Sequence, residues 1–242
     1  MKNKKLIAAV AAAALVAVIG VGATLAYFTD SDEAKNVLTL GAVDIELTEP
    51  NYKGDAEYEN IVPGDVIVKD PIITLASASE DAYVRVKLEI DIKKQILGKD
   101  ENDKEIVLGE TELENGLEAE AIIDLMDGTD DTEGLSAQIK ANGWYFNEEE
   151  GYYYFNQKLT QDSNKAVFFR QVNIPFEWNN DYADTIIRVN VYAEAIQADN
   201  YMPVTEMVNV DNTDIEMITS WTFMDGTPIT GEYIEKYEAG TN

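Results

Sequence analysis

The sequence predicts an all-β-dominated chain, a sandwich of two sheets that carries one acidic, partly helical insertion. Three observations predict it. The stretches "YVRVKLEIDI" and "TIIRVNVYAEAI" alternate apolar and polar residues, and period two over such lengths marks strands with one buried and one wet face. Shorter strand-like runs bounded by turn residues recur along the chain. A single segment with helical spacing interrupts them, and no repeat and no Pro- or Ser-rich linker divides the sequence.

The first element is not part of that fold. Lys2, Lys4 and Lys5 form a basic head, and residues 6–28 contain no charge. A basic head, an apolar run and small residues before a polar start describe a secretory signal peptide. Thr24 and Ala26 supply small residues at the −3 and −1 positions, so cleavage falls between Ala26 and Tyr27. The competing reading is a retained transmembrane helix, since the run is long enough to cross a bilayer. Its Ala- and Gly-rich composition favours removal, and both readings export everything after Tyr27.

The strands follow in order. "NVLTLGAVDIELTE" reads as a strand broken at Gly41, and "DPIITLAS" as another beginning after Pro71. In "YVRVKLEIDI", Val84, Val86, Leu88, Ile90 and Ile92 share the buried face. "GKDENDKE" reads as a hairpin tip. The insertion comes next: Leu117, Ala121, Ile122 and Leu125 form a helical apolar stripe, and Gly143 is a stop signal. Residues 99–150 hold 17 acidic and three basic side chains, so this is also the most acidic part of the chain. "GWYFNEEEGYYYFN" predicts a hairpin turning at Glu148 to Gly151. "KAVFFRQVNIPFEW" predicts one further strand, with Pro175 marking an edge or a bulge. In "TIIRVNVYAEAI", Ile187, Val189, Val191, Ala193 and Ala195 face inward. The tail "SWTFMDGTPITGEYI" is compatible with a last hairpin about Asp225-Gly226.

Composition excludes several functions. The chain has 18 basic and 46 acidic residues, a net charge of −28. Starting at Tyr27 the charge is −31, because only Lys2, Lys4 and Lys5 are lost with the leader. Such a charge repels phosphates and anionic lipid, which argues against nucleic-acid partners and confines membrane contact to the uncleaved form. There is no Cys and no His. Disulfides, Ser-His-Asp and Cys-His nucleophiles, an H-E-x-x-H helix and an ordinary zinc site are therefore all excluded. Paired carboxylates survive as a glycosidase-like possibility, but in so acidic a chain they arise by chance. The expectation is a protein that is not an enzyme and holds no cofactor.

Two constellations stand out beyond the strands. Asp127, Asp130, Asp131 and Glu133 crowd a Gly-bounded loop whose hard oxygens suit calcium, although the spacing is not that of an EF-hand and a solvated acidic loop is the simpler reading. Trp144, Tyr145, Tyr152, Tyr153 and Tyr154, with Phe146 and Phe155, are either a glycan-stacking surface or cross-strand pairs with a structural role.

The segments "TLAYFTD", "LTLGAVDIELT", "NIVPGDVIVKD", "AYVRVKLEI", "GYYYF" and "RVNVYAEAIQADNY", in this order, resemble the TasA/camelysin family over about residues 15–200. These are exported Gram-positive proteins matured by a dedicated signal peptidase and assembled into biofilm matrix fibres. The resemblance implies a jelly-roll sandwich and a mature start at Tyr27. It also implies that the N-terminal segment joins a sheet of the next subunit, with Phe28, Val37, Leu38 and Leu40 as candidate pocket fillers. The alternative is that this segment folds as the first strand of its own sandwich. The organisation expected is a signal peptide over 1–26, a candidate donor over 27–40, a jelly roll over 41–200 with the insertion at about 99–142, and a C-terminal extension over 201–242. The partner expected is another copy or a related fibre subunit, outside the cell. The rival functions are a monomeric surface binding module and a secreted hydrolase. The metallopeptidase label of some relatives does not transfer to a chain without His.

Overall fold

The computed structural model describes residues 43–54, 61–129, 132–210 and 213–229, and the backbone of Glu235–Glu238. The chain divides into Met1–Leu40 and Gly41–Asn242. The cleavage junction Ala26/Tyr27 and the candidate donor residues Phe28, Val37, Leu38 and Leu40 lie outside the described residues.

The second unit is the all-β sandwich that alternation predicts. One layer contains β1 (Ile45–Thr48), β3 (Ile72–Leu75) and β10 (Lys165–Val167), in the order β1-β3-β10. A ribbon of β2 (Val66–Val68) with β11 (Gln171–Asn173) follows from the same pair of chain segments. The other layer is six-stranded. Its path is β15 (Glu235–Glu238), β12 (Thr185–Gln197), β4 (Ala82–Lys99), β9 (Tyr152–Phe155) and β8 (Trp144–Asn147), with β5 (Glu105–Thr111) paired to the far end of β4. Every pairing is antiparallel.

The inward faces meet in one core. Ile45, Leu47, Ile73, Leu75 and Ala166 from the first layer and Val172 from the β2–β11 ribbon share the core with Val84, Val86, Ile92, Val191, Ala193 and Ala195 from the six-stranded layer. Their removal from water is the main favourable term of the fold, because no disulfide assists it. The insertion adds α1 (Leu117–Asp127) and α2 (Leu135–Ala141), joined by the two-residue strands β6 (Gly128–Thr129) and β7 (Thr132–Glu133). Of the predicted stripe, Ala121 and Leu125 are buried, while Leu117 and Ile122 pack at the border of the core.

Three expectations need correction. The polar face of β4 and β12 is not wet throughout: Glu194 is 4% exposed, and Tyr154 and Ile196 beside it are buried with Trp221 and Ile218. These last two belong to β14 (Thr213–Phe223), which pairs with β13 (Tyr201–Val210) and covers that face. The tail is thus more than one hairpin about Asp225-Gly226: it supplies this long ribbon, the turn at Asp225-Gly226, and then β15 as a strand of the six-stranded layer. Finally, "KAVFFRQVNIPFEW" is two strands rather than one. Phe168 and Phe169 lie between β10 and β11, both fully buried, and the ladder breaks where the pair turns inward. Pro175 falls beyond β11.

Candidate functional site: the sheet edges and the aromatic hairpin

A sheet edge carries unpaired N–H and C=O groups and must be paired, covered or tolerated. One edge of the first layer is covered by the insertion. The Gln138 side chain accepts hydrogen bonds from the backbone N–H groups of Arg170 (3.2 Å) and Gln171 (3.3 Å), and its amide donates to the Gln171 carbonyl (3.0 Å). Asn142 Nδ2 donates to the Phe168 carbonyl (3.1 Å) and Trp144 Nε1 to that of Val167 (2.7 Å). Three side chains therefore occupy the places where a neighbouring strand would bond.

The second edge is β8. Gly143 and Asn147 carbonyls accept from Asn156 and Gly151, so odd-numbered positions bond inward and Trp144 and Phe146 face outward. An open groove of about 580 Å³ runs here between α2, β8 and the β13–β14 ribbon, lined by Lys140, Tyr145, Phe146, Tyr153, Glu206 and Met217 among others. Within the aromatic hairpin, Trp144 (2% exposed) lies edge-on to Phe168 at 5.1 Å, and Tyr154 lies edge-on to Trp221 at 5.1 Å. Tyr145, Tyr152 and Tyr153 are partly buried, and Phe146 is the most exposed ring at 41%. Burial pushes the Tyr153 hydroxyl up to about 12, with the Asp127 carboxylate adding to it. The sequence had no means of showing that the tail ribbon covers one side of this hairpin while the insertion covers the other.

That covered face holds a charge network absent from the sequence reading. Arg85 donates from Nε to Glu194 (2.8 Å) and from Nη1 to Glu150 (2.8 Å) and to the Tyr154 hydroxyl (2.7 Å). Tyr152 donates to Glu194 (3.1 Å), and its ring lies 3.9 Å from the Arg85 guanidinium carbon. Burial works against the Arg85 charge, yet Tyr154 and Glu194 more than offset it, and its pKa is raised. Burial and the bond to Glu150 also push the Tyr154 hydroxyl well above the usual range. Each charge of this network lies within hydrogen-bonding distance of an opposite charge or a hydroxyl.

Of the calcium candidates, Asp127 ends α1 and Glu133 lies in β7, paired with Gly128. Asp130 and Asp131 lie outside the described residues. Among the described residues no three carboxylates converge on one point, and no helix is long and apolar enough to cross a membrane.

Residues 1–115 match the model of a family described as camelysin metallo-endopeptidase. No curated protein and no solved structure matches the chain significantly. The residues present do not fit the zinc that this description implies, since zinc sites are built from His and Cys with at most a minority of carboxylates, and this chain has neither residue. The match spans the predicted cleavage junction and β1 to β5, and it supports assigning the chain to the TasA/camelysin family.

Proposed function

We propose that this protein is an exported structural subunit that assembles into extracellular fibres by strand addition once its signal peptide is removed. The observation that carries this reading is the antiparallel sandwich with a strand edge, β8, that no further strand pairs among the described residues. The family match and the order of the motifs support it. Strand addition needs only backbone groups and alternating side chains, which suits a chain that has no His and no Cys. Hydrolytic activity is not part of the proposal.

The test is electron microscopy with light scattering on protein beginning at Tyr27, beside protein with residues 27–40 deleted. Fibres from the first and monomers from the second are expected. Monomers from both, at high salt and with calcium, would overturn the reading. They would favour a surface binding module, the second reading, for which the groove at Phe146 and Tyr145 is the specific observation. Loss of glycan or protein binding on Phe146→Ala would then be its signature.

A further inference from the structure

The groove between α2, β8 and the β13–β14 ribbon has walls that are tied to one another. Asn147, at the end of β8, donates from Nδ2 to the Thr219 carbonyl of β14 (2.8 Å). Its Oδ1 accepts from the backbone N–H groups of Glu149 (2.9 Å) and Glu150 (3.2 Å). One side chain thus joins the ribbon to the sheet and holds the turn that carries Glu148 and Glu149. Asn156 adds a second tie, donating to the Glu216 carbonyl (3.0 Å) and accepting from the Ile218 N–H (2.8 Å).

Between these walls stands an aromatic platform. Phe146 pairs with Tyr153 across the hairpin, their ring centroids 4.6 Å apart. Tyr153 in turn stands edge-on to the fully buried Phe168 at 5.2 Å. Phe146 is therefore an exposed ring backed by a column of rings that reaches the core, and it has little freedom left to lose on binding. Trp144, Ile139 and Met217, which also line the groove, are buried. The groove thus presents a flat ring rather than a deep apolar pocket. The charge around that ring is negative: Glu148, Glu149 and Glu206 line the groove against the single cation Lys140.

We propose that this groove binds a cationic glycan, a chain of amine-bearing sugars such as glucosamine. A sugar ring lays its C–H face on an exposed aromatic ring and turns its hydroxyls and amine towards the carboxylates at the rim. The charged amine is drawn both to those carboxylates and to the negative face of the ring. A net charge of −28 steers the same cation to the protein and repels anionic glycans. A basic peptide carries the charge but needs a pocket to bury an apolar anchor, and here the apolar lining is already sealed. The volume of about 580 Å³ lies within the range of about 300 to 1,000 Å³ common to ligand sites. The inference is independent of strand addition, because a fibre subunit and a monomer can both carry the groove.

The test is calorimetric titration of a glucosamine hexamer into protein beginning at Tyr27, at a mildly acid pH that keeps the sugar amines charged. Saturable binding is expected, with the N-acetylated hexamer about tenfold weaker. Phe146→Ala should lower the affinity for the amine-bearing hexamer about tenfold, and Phe146→Tyr should keep it. Glu149→Gln with Glu206→Gln should weaken the charged hexamer alone. Glu101→Gln with Glu105→Gln, the same charge change on the β4–β5 hairpin, should have no effect. Unchanged melting temperatures in these variants separate lost binding from lost fold. No saturable binding would overturn the site, as would binding indifferent to Phe146 and weakened equally by both glutamate pairs, which is bulk attraction to an acidic chain. A lysine hexamer that binds as tightly, with the same dependence on Phe146, would overturn the glycan and give the groove to a basic peptide.

Discussion

Arg85 sits where the sequence predicts a solvated side chain, yet it is buried between Tyr152, Tyr154 and Trp221 and bonded to Glu194. Strict alternation assigns Arg85 to the polar face correctly; what it does not contain is the ribbon lying over that face. Removing the cation leaves the buried Glu194 carboxylate without the Arg85 charge beside it. We expect Arg85→Ala to cost about 3 to 5 kcal/mol of unfolding free energy, read from a denaturant midpoint. A cost under 1 kcal/mol would mean that the network is wet. Gln138 is the second residue whose role is invisible in sequence, because a glutamine in a predicted helix reads as a surface residue. Its amide stands in for a strand, and Gln138→Ala should cost about 1 to 3 kcal/mol through two N–H groups and one carbonyl left without partners.

Among elements, the helical insertion acquires a purpose from its position. Its second helix closes the edge of β10 and β11, so the acidic segment works as an edge cover before any question of ligands arises. The hinge between the helices depends on glycine. At Gly128 φ is +79°, and an added Cβ would stand 2.1 Å from the Thr132 carbonyl oxygen. Gly128→Ala should therefore disorder the β6–β7 turn and lower the melting temperature by several degrees, about 1 to 3 kcal/mol of strain. A variant that melts unchanged would show that this turn does not hold the helices. The Trp144–Phe155 hairpin was legible to the residue from its turn, since pairing there is local. The break between β10 and β11 was not, because two consecutive phenylalanines read equally well as a continuous buried strand.

For the whole molecule, a net charge of −28 opposes any contact between copies. Salt, divalent cations or acid should promote assembly, and polymer mass unchanged across a salt series and a titration to pH 4 would refute this. Acid has an opposing effect on the subunit itself. The Lys93 ammonium holds Glu112 below the usual carboxylate range. Burial pushes Asp91 up, but hydrogen bonds from Lys93 and Arg188 more than offset it and leave its pKa lowered. A backbone bond from Thr227 lowers Asp225. Groups depressed in the folded state contribute stability above their ordinary pKa of about 4, and lose it as pH falls through the folded values. Melting temperature should therefore be level from pH 7 to 5 and drop below pH 4. Assembly by acid would then occupy a narrow window just above that drop. A melting temperature that rises on going below pH 4 would contradict these assignments.

By itself, the sequence determined the strand faces, the hairpins and the helical stripe, because periodicity and turn chemistry act between residues close along the chain. It likewise determined the absence of His and Cys chemistry, the acidity and the leader-like N-terminus. Only the tertiary structure decided which polar face is covered and which edge the insertion seals. Those are contacts between segments far apart in sequence, and Arg85 and Gln138 have the same local pattern whether or not another strand lies beside them.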